Sequence, residues 1–361
     1  MKKTLLLLVP LLFFIGCEDN SDSDMEVLDK FNKIFFNQED YDEYNGLCVY
    51  ETLDLGYVIM GEGPEGIFLL KTYQNGNQTW LKTFSNGYEE RGNHLQITND
   101  GGYIISGGTR VSENGNTPEW FVWLIKTDSD GNKEWEKTYE GSFGGYVLQT
   151  SDDGYLLGCQ INNNGGLIKT DSNGNEEWRV SYDGLYTSST FIYQFQDESY
   201  LTFDSVIRKV DNNGNQQWVK SIDGKGLFGS VTVDGGFVFT GQNQSNDFYT
   251  VKTDIEGNVE WSSQSPSSGN SRGHSVLEIS DGGFIVCGFE DGILNDQLKI
   301  VKYNNQGEIL WKKSYGGEGF EKGYSIDELS NFGFIITGIT SDSYDKSGMW
   351  LIKTDSEGNF E

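Results

Sequence analysis

The sequence predicts a seven-bladed β-propeller of four-stranded antiparallel blades. Three observations predict it. A cassette of apolar run, Lys, and Gly five residues later occurs seven times: Lys71/Gly76, Lys126/Gly131, Lys169/Gly174, Lys209/Gly214, Lys252/Gly257, Lys302/Gly307 and Lys353/Gly358. In six copies a Trp stands four residues after the Gly, at Trp80, Trp135, Trp178, Trp218, Trp261 and Trp311. The period of about 40 to 55 residues is filled with short strands, the signature of sheets packed around an axis.

The second repeat shows the elements of one blade most clearly. His94-Leu95-Gln96-Ile97-Thr98 alternates apolar and polar residues and predicts strand A. Asn99-Asp100-Gly101-Gly102 is a tight hairpin turn, because Asp-Gly and Gly-Gly supply positive φ. Tyr103–Gly107 is strand B, and Arg110 to Glu119 a longer polar loop. Trp120–Lys126 is strand C, nearly all apolar, as a strand packed on both faces must be. Asp128-Ser129-Asp130-Gly131 turns the chain into strand D, Asn132–Tyr139, which carries Trp135. The fourth repeat departs most from this pattern: Ser199 and Asp204 replace its two strand-B glycines, so its blade is expected to be the most irregular.

The chain ends at Glu361, one residue short of a seventh Trp. Phe31-Asn32-Lys33-Ile34-Phe35 repeats the register of Trp80-Leu81-Lys82-Thr83-Phe84. The N-terminal strand is therefore expected to complete the last blade as its strand D, closing the ring and removing open sheet edges. The propeller then occupies residues 31–361 as one domain. Its A–B and C–D turns are short and uniform and share one face; its B–C and D–A loops vary and share the other. Binding residues concentrate on such variable loops.

Met1-Lys2-Lys3, an apolar stretch from Leu5 to Ile15 and the junction Gly16-Cys17 resemble a bacterial lipoprotein signal peptide over residues 1–16. The resemblance implies that Cys17 carries the lipid and anchors the chain in a membrane, the outer membrane in such proteins, with possible exposure at the cell surface. Acyl chains on Cys17 would give stable anchoring where more than one is present. Glu18-Asp19-Asn20-Ser21-Asp22-Ser23-Asp24 opens an acidic, flexible tether over 17–30.

The net charge is −29. Such a surface repels phosphate backbones and excludes nucleic acid as a partner. Aromatic residues make up 14% of the chain against 47 Gly and 4 Pro, which suits flat inter-sheet packing and tight turns. Cys48, Cys159 and Cys287 lie in apolar strands of different blades and are read as small buried hydrophobes.

The Lys-Thr-Asp-x-x-Gly-Asn-x-x-Trp cassettes, Lys126 to Trp135 and Lys169 to Trp178, are similar to the Trp-docking motif of quinoprotein-like propellers. They are closer still to the Gly-rich propeller repeats of Bacteroidetes surface and secreted proteins. The likeness spans nearly all of the chain from Phe31 onward. It implies that each Trp docks blade to blade, beside a Lys whose stem covers the indole and whose ammonium can reach its face. Members of the first group include quinone-dependent dehydrogenases and non-enzymatic scaffolds of outer-membrane assembly, so the fold does not choose an activity.

Several patterns that could carry chemistry are better explained by architecture. Gly61-Glu62-Gly63-Pro64-Glu65-Gly66 fits GxGxxG, but a strand follows it instead of a phosphate-binding helix. The Asp-x-Asp/Asn-Gly turns lack the ligand set of a calcium loop. His94 and His274 start strand A in the second and sixth blades and are read as separate polar residues at the channel mouth, without a shared metal. Glu89–Gly92, Ser271–Gly273 and Glu321–Gly323 are read as D–A junctions whose charges, Arg91 and Arg272 among them, converge around the axis, either as a polar ring for a small ligand or, the favoured reading, as the hydrated mouth that any propeller has. Trp120, Tyr344, Tyr44 and Phe320 are the loop aromatics able to stack on a sugar or a protein. No cofactor and no metal is expected, and a monomer is. The leading reading is a non-enzymatic binding or scaffold lipoprotein for a protein or glycan. The rivals are a propeller enzyme, either a quinone-dependent dehydrogenase or a polysaccharide-degrading one, and an envelope-assembly factor.

Overall fold

The computed structural model describes residues 31–35, 44–112, 118–182, 191–203, 206–266, 269–291, 296–317, 319–341 and 347–361. The regular elements among them are all β-strands, arranged as seven four-stranded antiparallel sheets. Blades 1 to 6 occupy 45–84, 89–140, 147–182, 191–220, 225–265 and 271–315. Blade 7 takes three strands from 321–354 and its fourth from Asn32–Phe35, which pairs antiparallel with Ser347–Thr354, Ile34 opposite Trp350. Blade 4, the one expected to be most irregular, has short strands throughout, of four to five residues.

Each sheet buries both faces against its neighbours, so the core is a series of inter-blade layers. Between blades 1 and 2 it comprises Val58, Met60 and Leu69 from one side and Leu95, Ile105 and Ile125 from the other, all buried. Burial of one such side chain is worth about 1.5–3 kcal/mol. Between blades 7 and 1, Phe31, Ile335 and Leu351 meet Val49, Ile59 and Leu70 in the same way.

The repeated Trp and Gly form one joint. Each Gly of the C–D turn has φ between 72° and 79°, a conformation that side chains resist. A Cβ on Gly131 would also lie 2.7 Å from the Trp80 ring of the preceding blade. Gly174 meets Trp135, Gly214 Trp178, Gly307 Trp261 and Gly358 Trp311 in the same manner. At the seventh joint Phe31 takes the Trp position against Gly76.

The repeated Lys does something other than cover the indole with its charge. Lys126 lies opposite Trp135 in register. Its buried ammonium turns to Asp100 of the A–B turn at 2.8 Å and to Glu134 at 3.1 Å, and donates to the Thr127 carbonyl at 2.8 Å. Lys71, Lys169, Lys252 and Lys302 reach Asp54, Asp152, Asp234 and Asp281 likewise. A carboxylate is a stronger partner for an ammonium than a ring face.

Strand A is longer than its alternation suggests. In blade 2 it runs Glu89–Ile97 and pairs with Tyr103–Val111, with a bulge between Gly92 and His94. Equivalent bulges follow Gly46, Gly273 and Gly323. The Gly-rich segments read as D–A junctions are thus the first turns of pairing, in which one extra residue kinks the strand without ending it. Their charges do not converge into a ring. Arg91 pairs with Glu89 at 3.0 Å, and Glu321 is buried beside Gly317.

Candidate functional site

Two concave regions are built from sequence-predicted residues. The first lies on the axis. Strand A of each blade runs beside the channel, and at the seams of blades 2 and 3, 6 and 7, and 7 and 1 side chains of one strand accept hydrogen bonds from the backbone of the next. His94 Nδ1 accepts from Val147 N at 3.4 Å and Gln96 from Gln149 N at 2.6 Å. Ser325 accepts from Val49 N at 3.2 Å and Asp327 from Glu51 N at 3.1 Å, so the seam between blades 7 and 1 is laced like the others. Within this ring is a cavity of about 310 Å³. Its walls include Tyr50, Tyr146, Phe228 and Tyr324, with His94, His274 and Asp327.

The two histidines are not separate mouth residues; they line this one cavity. They also differ by one register position, because His274 is itself the bulged residue while His94 follows its bulge. His94 stacks on Tyr146 with 3.8 Å between centroids, and His274 on Tyr324 with 5.0 Å. Burial holds both imidazoles down to about 3, and Arg272 and Lys322 press His274 the same way. Both rings are therefore neutral at ordinary pH. Accepting from Val147 N–H leaves His94 protonated on Nε2, whereas His274 Nδ1, 2.9 Å from the Gly323 carbonyl, must donate. One imidazole is left with a donor and the other with an acceptor.

The cavity is polarised along the axis. Arg272 stands over Phe228 at 5.6 Å on the variable-loop side. Toward the A–B turns lie Asp327 and, beyond it, Glu51, Glu278 and Glu328. These three cap turns of the preceding blades through Ser330 N, Val233 N and Ser280 N. Burial pushes the Asp327 carboxyl up to about 6, and the charges of Glu51 and Glu328 add to the effect.

The second region is a groove on the variable face between blades 2 and 3. Its volume is about 550 Å³, and Trp120, Glu140, Gln160, Asn162, Asn163 and Arg179 line it. Trp120 opens strand C of blade 2, over Gly108, and stacks on Phe143 of the D–A loop with centroids 5.4 Å apart and planes 27° apart. The Arg91 guanidinium stands 5.8 Å from the Trp120 ring. Phe143 is 38% exposed with φ 51°, a left-handed backbone that is costly for a bulky residue. Asn162 and Asn163, at φ 51° and 62°, form the tight B–C hairpin beside it.

The remaining candidates are dispersed. Tyr44 packs on Phe68 at 6.3 Å at the start of blade 1. Phe320 is partly exposed, its N–H donating to Ser341 Oγ at 3.0 Å. Tyr344 and Cys17 lie outside the described residues. Phe143 and Asp327 were missed by sequence reasoning: Phe143 sits in a Gly-rich loop without pattern, and Asp327 looks like any polar residue of an alternating strand. The Asp-Gly turns use their carboxylates internally; Asp128 accepts from Asp130 N at 2.9 Å and Asn132 N at 2.8 Å. Among the described residues no cluster of three or more His, Cys, Asp or Glu is placed to hold a metal.

No family model matches this sequence, and no curated protein matches it either. Solved structures do match. A catalytically inactive virginiamycin B lyase from Staphylococcus aureus, crystallised with quinupristin, superposes with a TM-score of 0.59 at 12% identity, over 89% of this chain and 98% of that one. The WD40 propeller domain of Doa1 gives 0.58 at 12% identity, over 85% and 93%. The Dos1 propeller gives 0.50 at 11% identity, over 82% and 74%. At these identities the likeness carries the architecture and no activity, and the chain is a β-propeller by its sheets and by its neighbours alike.

Proposed function

We propose that this chain is an outer-membrane lipoprotein, anchored through Cys17, whose variable-loop face binds a glycan without transforming it. The observation that carries the glycan reading is the Trp120–Phe143 platform beside planar amide, carboxylate and guanidinium groups. A sugar ring stacks its C–H face on an aromatic plane, and its hydroxyls take paired hydrogen bonds from such side chains. A left-handed Phe143 supports the same reading, since strained backbone accumulates at ligand sites. The signal-like 1–16 segment and the acidic 17–30 stretch support the anchor. The tether would leave beside Phe31 on the short-turn face, directing the groove away from the membrane. A protein partner on this groove, or cleavage of the glycan, is the competing outcome.

The test is a panel of soluble oligosaccharides read by the intrinsic Trp fluorescence of the purified protein. Binding is expected to quench or shift the emission saturably and to weaken by about tenfold or more in Trp120→Ala. Undiminished affinity in Trp120→Ala, or release of shorter sugars during incubation, would overturn the reading.

A further inference from the structure

We infer that the axial cavity is a binding site for a small organic ammonium ion, seated among Tyr50, Tyr146, Phe228 and Tyr324 with Asp327 as its counter-ion. This site is independent of the outer groove and lies on a different set of strands.

Four observations converge on it. Aromatic rings from four blades surround about 310 Å³, at the small end of ligand pockets. His94, His274 and Arg272 take one face each of Tyr146, Tyr324 and Phe228, and a cation would be drawn to the second faces and to Tyr50, best one that carries its charge on methyl or methylene groups. Asp327 is a part-buried carboxylate whose charged neighbours, Glu51 and Glu328, have its own sign. A cation beside such a carboxylate would relieve both its burial and the like charges around it. The imidazoles of His94 and His274 are neutral, so they oppose no positive ligand, and their donor and acceptor can take a hydroxyl on it. Finally, Glu51, Glu278 and Glu328 ring the approach from the A–B turns on a chain of charge −29, which concentrates cations at that mouth.

A metal ion fits less well. Calcium demands six to eight oxygens, and the walls offer one carboxylate with scattered hydroxyls. Among the described residues no protein group hydrogen-bonds the hydroxyls of Tyr50 and Tyr146, which line the same space. They are suited to a ligand that carries its own polar group beside the charge.

The experiment is calorimetric titration of the purified full chain with choline and with tetramethylammonium. The neutral isostere 3,3-dimethylbutan-1-ol and calcium chloride serve as the comparisons. Saturable binding of both ammonium probes is expected, with the alcohol weaker by about tenfold or more. Asp327→Asn retains an acceptor for Glu51 N–H and is expected to weaken choline by a similar factor. Phe228→Leu keeps the apolar volume and is expected to weaken it as well. The inference is overturned if a folded chain takes up neither ammonium probe to about 10 mM. It is equally overturned if the alcohol matches choline, or if calcium alone binds. The isostere comparison uses the unaltered protein, so it decides the matter even if a variant fails to fold.

Discussion

The ring of Phe31 rests on Gly76, 2.6 Å from where a Cβ would stand, as Trp80 rests on Gly131 at 2.7 Å. The residue just before the N-terminal strand therefore completes a set that the rest of the chain supplies as indoles. Phe31 also packs edge-on against Tyr57 at 5.9 Å, and its carbonyl accepts from Lys353 N at 3.2 Å. Phe31→Ala is expected to lower stability by about 3 kcal/mol, the cost of emptying a buried aromatic site. Phe31→Trp should restore most of it. Urea denaturation reads both; an unchanged midpoint in Phe31→Ala would mean that the closing strand does not hold the ring.

Gly131 and Gly101 separate two costs that usually travel together. Both are left-handed, at φ 73° and 81°, but nothing stands within 4 Å of a Cβ on Gly101. Gly101→Ala should cost about 1–2 kcal/mol, the backbone term alone. Gly131→Ala adds displacement of Trp80 and should cost about 1–3 kcal/mol more. Equal losses in thermal unfolding would remove the indole joint from the account of blade packing.

Acid should unfold the protein in two stages of different origin. The folded state keeps His94 and His274 neutral down to about 3, so the stability tied to them is full above pH 6.5 and drains as pH falls from there toward 3. Lys252 holds Asp234 down to about 2, so that contribution is full above pH 4 and is lost as pH falls toward 2. His94→Gln, which can still accept from Val147 N–H, is expected to flatten the upper stage. Lys252→Met should flatten the lower one. Stability measured by urea at stepped pH distinguishes them, and an identical acid profile in both variants would refute the assignment.

Sequence reading recovered the parts of the fold that repeat. Lys126, Gly131 and Trp135 recur often enough to reveal a common joint, and Phe31 was recognisable by its register against Trp80. The destination of the Lys126 ammonium was hidden, because Asp100 lies in a different turn of the blade and meets it only after strands A and C align. The Gly-rich starts of strand A look like loops in sequence, since a bulge after Gly92 breaks the alternation without breaking the pairing. The meeting of His94 with His274 was illegible for a deeper reason. Their 180-residue separation carries no local signal, and only closing the circle brings strands A of blades 2 and 6 to one axis. Trp120 was visible as a candidate, but its partner Phe143 comes from the next blade-to-blade connection.

The lacing of the innermost strands has a mechanical corollary. From blade 2 to 3, 6 to 7 and 7 to 1, a side chain grips the following blade's backbone, while Glu51, Glu278 and Glu328 grip the preceding one's. The junction between blades 7 and 1 is clasped like those between blades 2 and 3 and between blades 6 and 7. Tension applied to the closing strand would therefore be shared between its pairing with Ser347–Thr354 and the side-chain grips of Ser325 and Asp327 on the first blade.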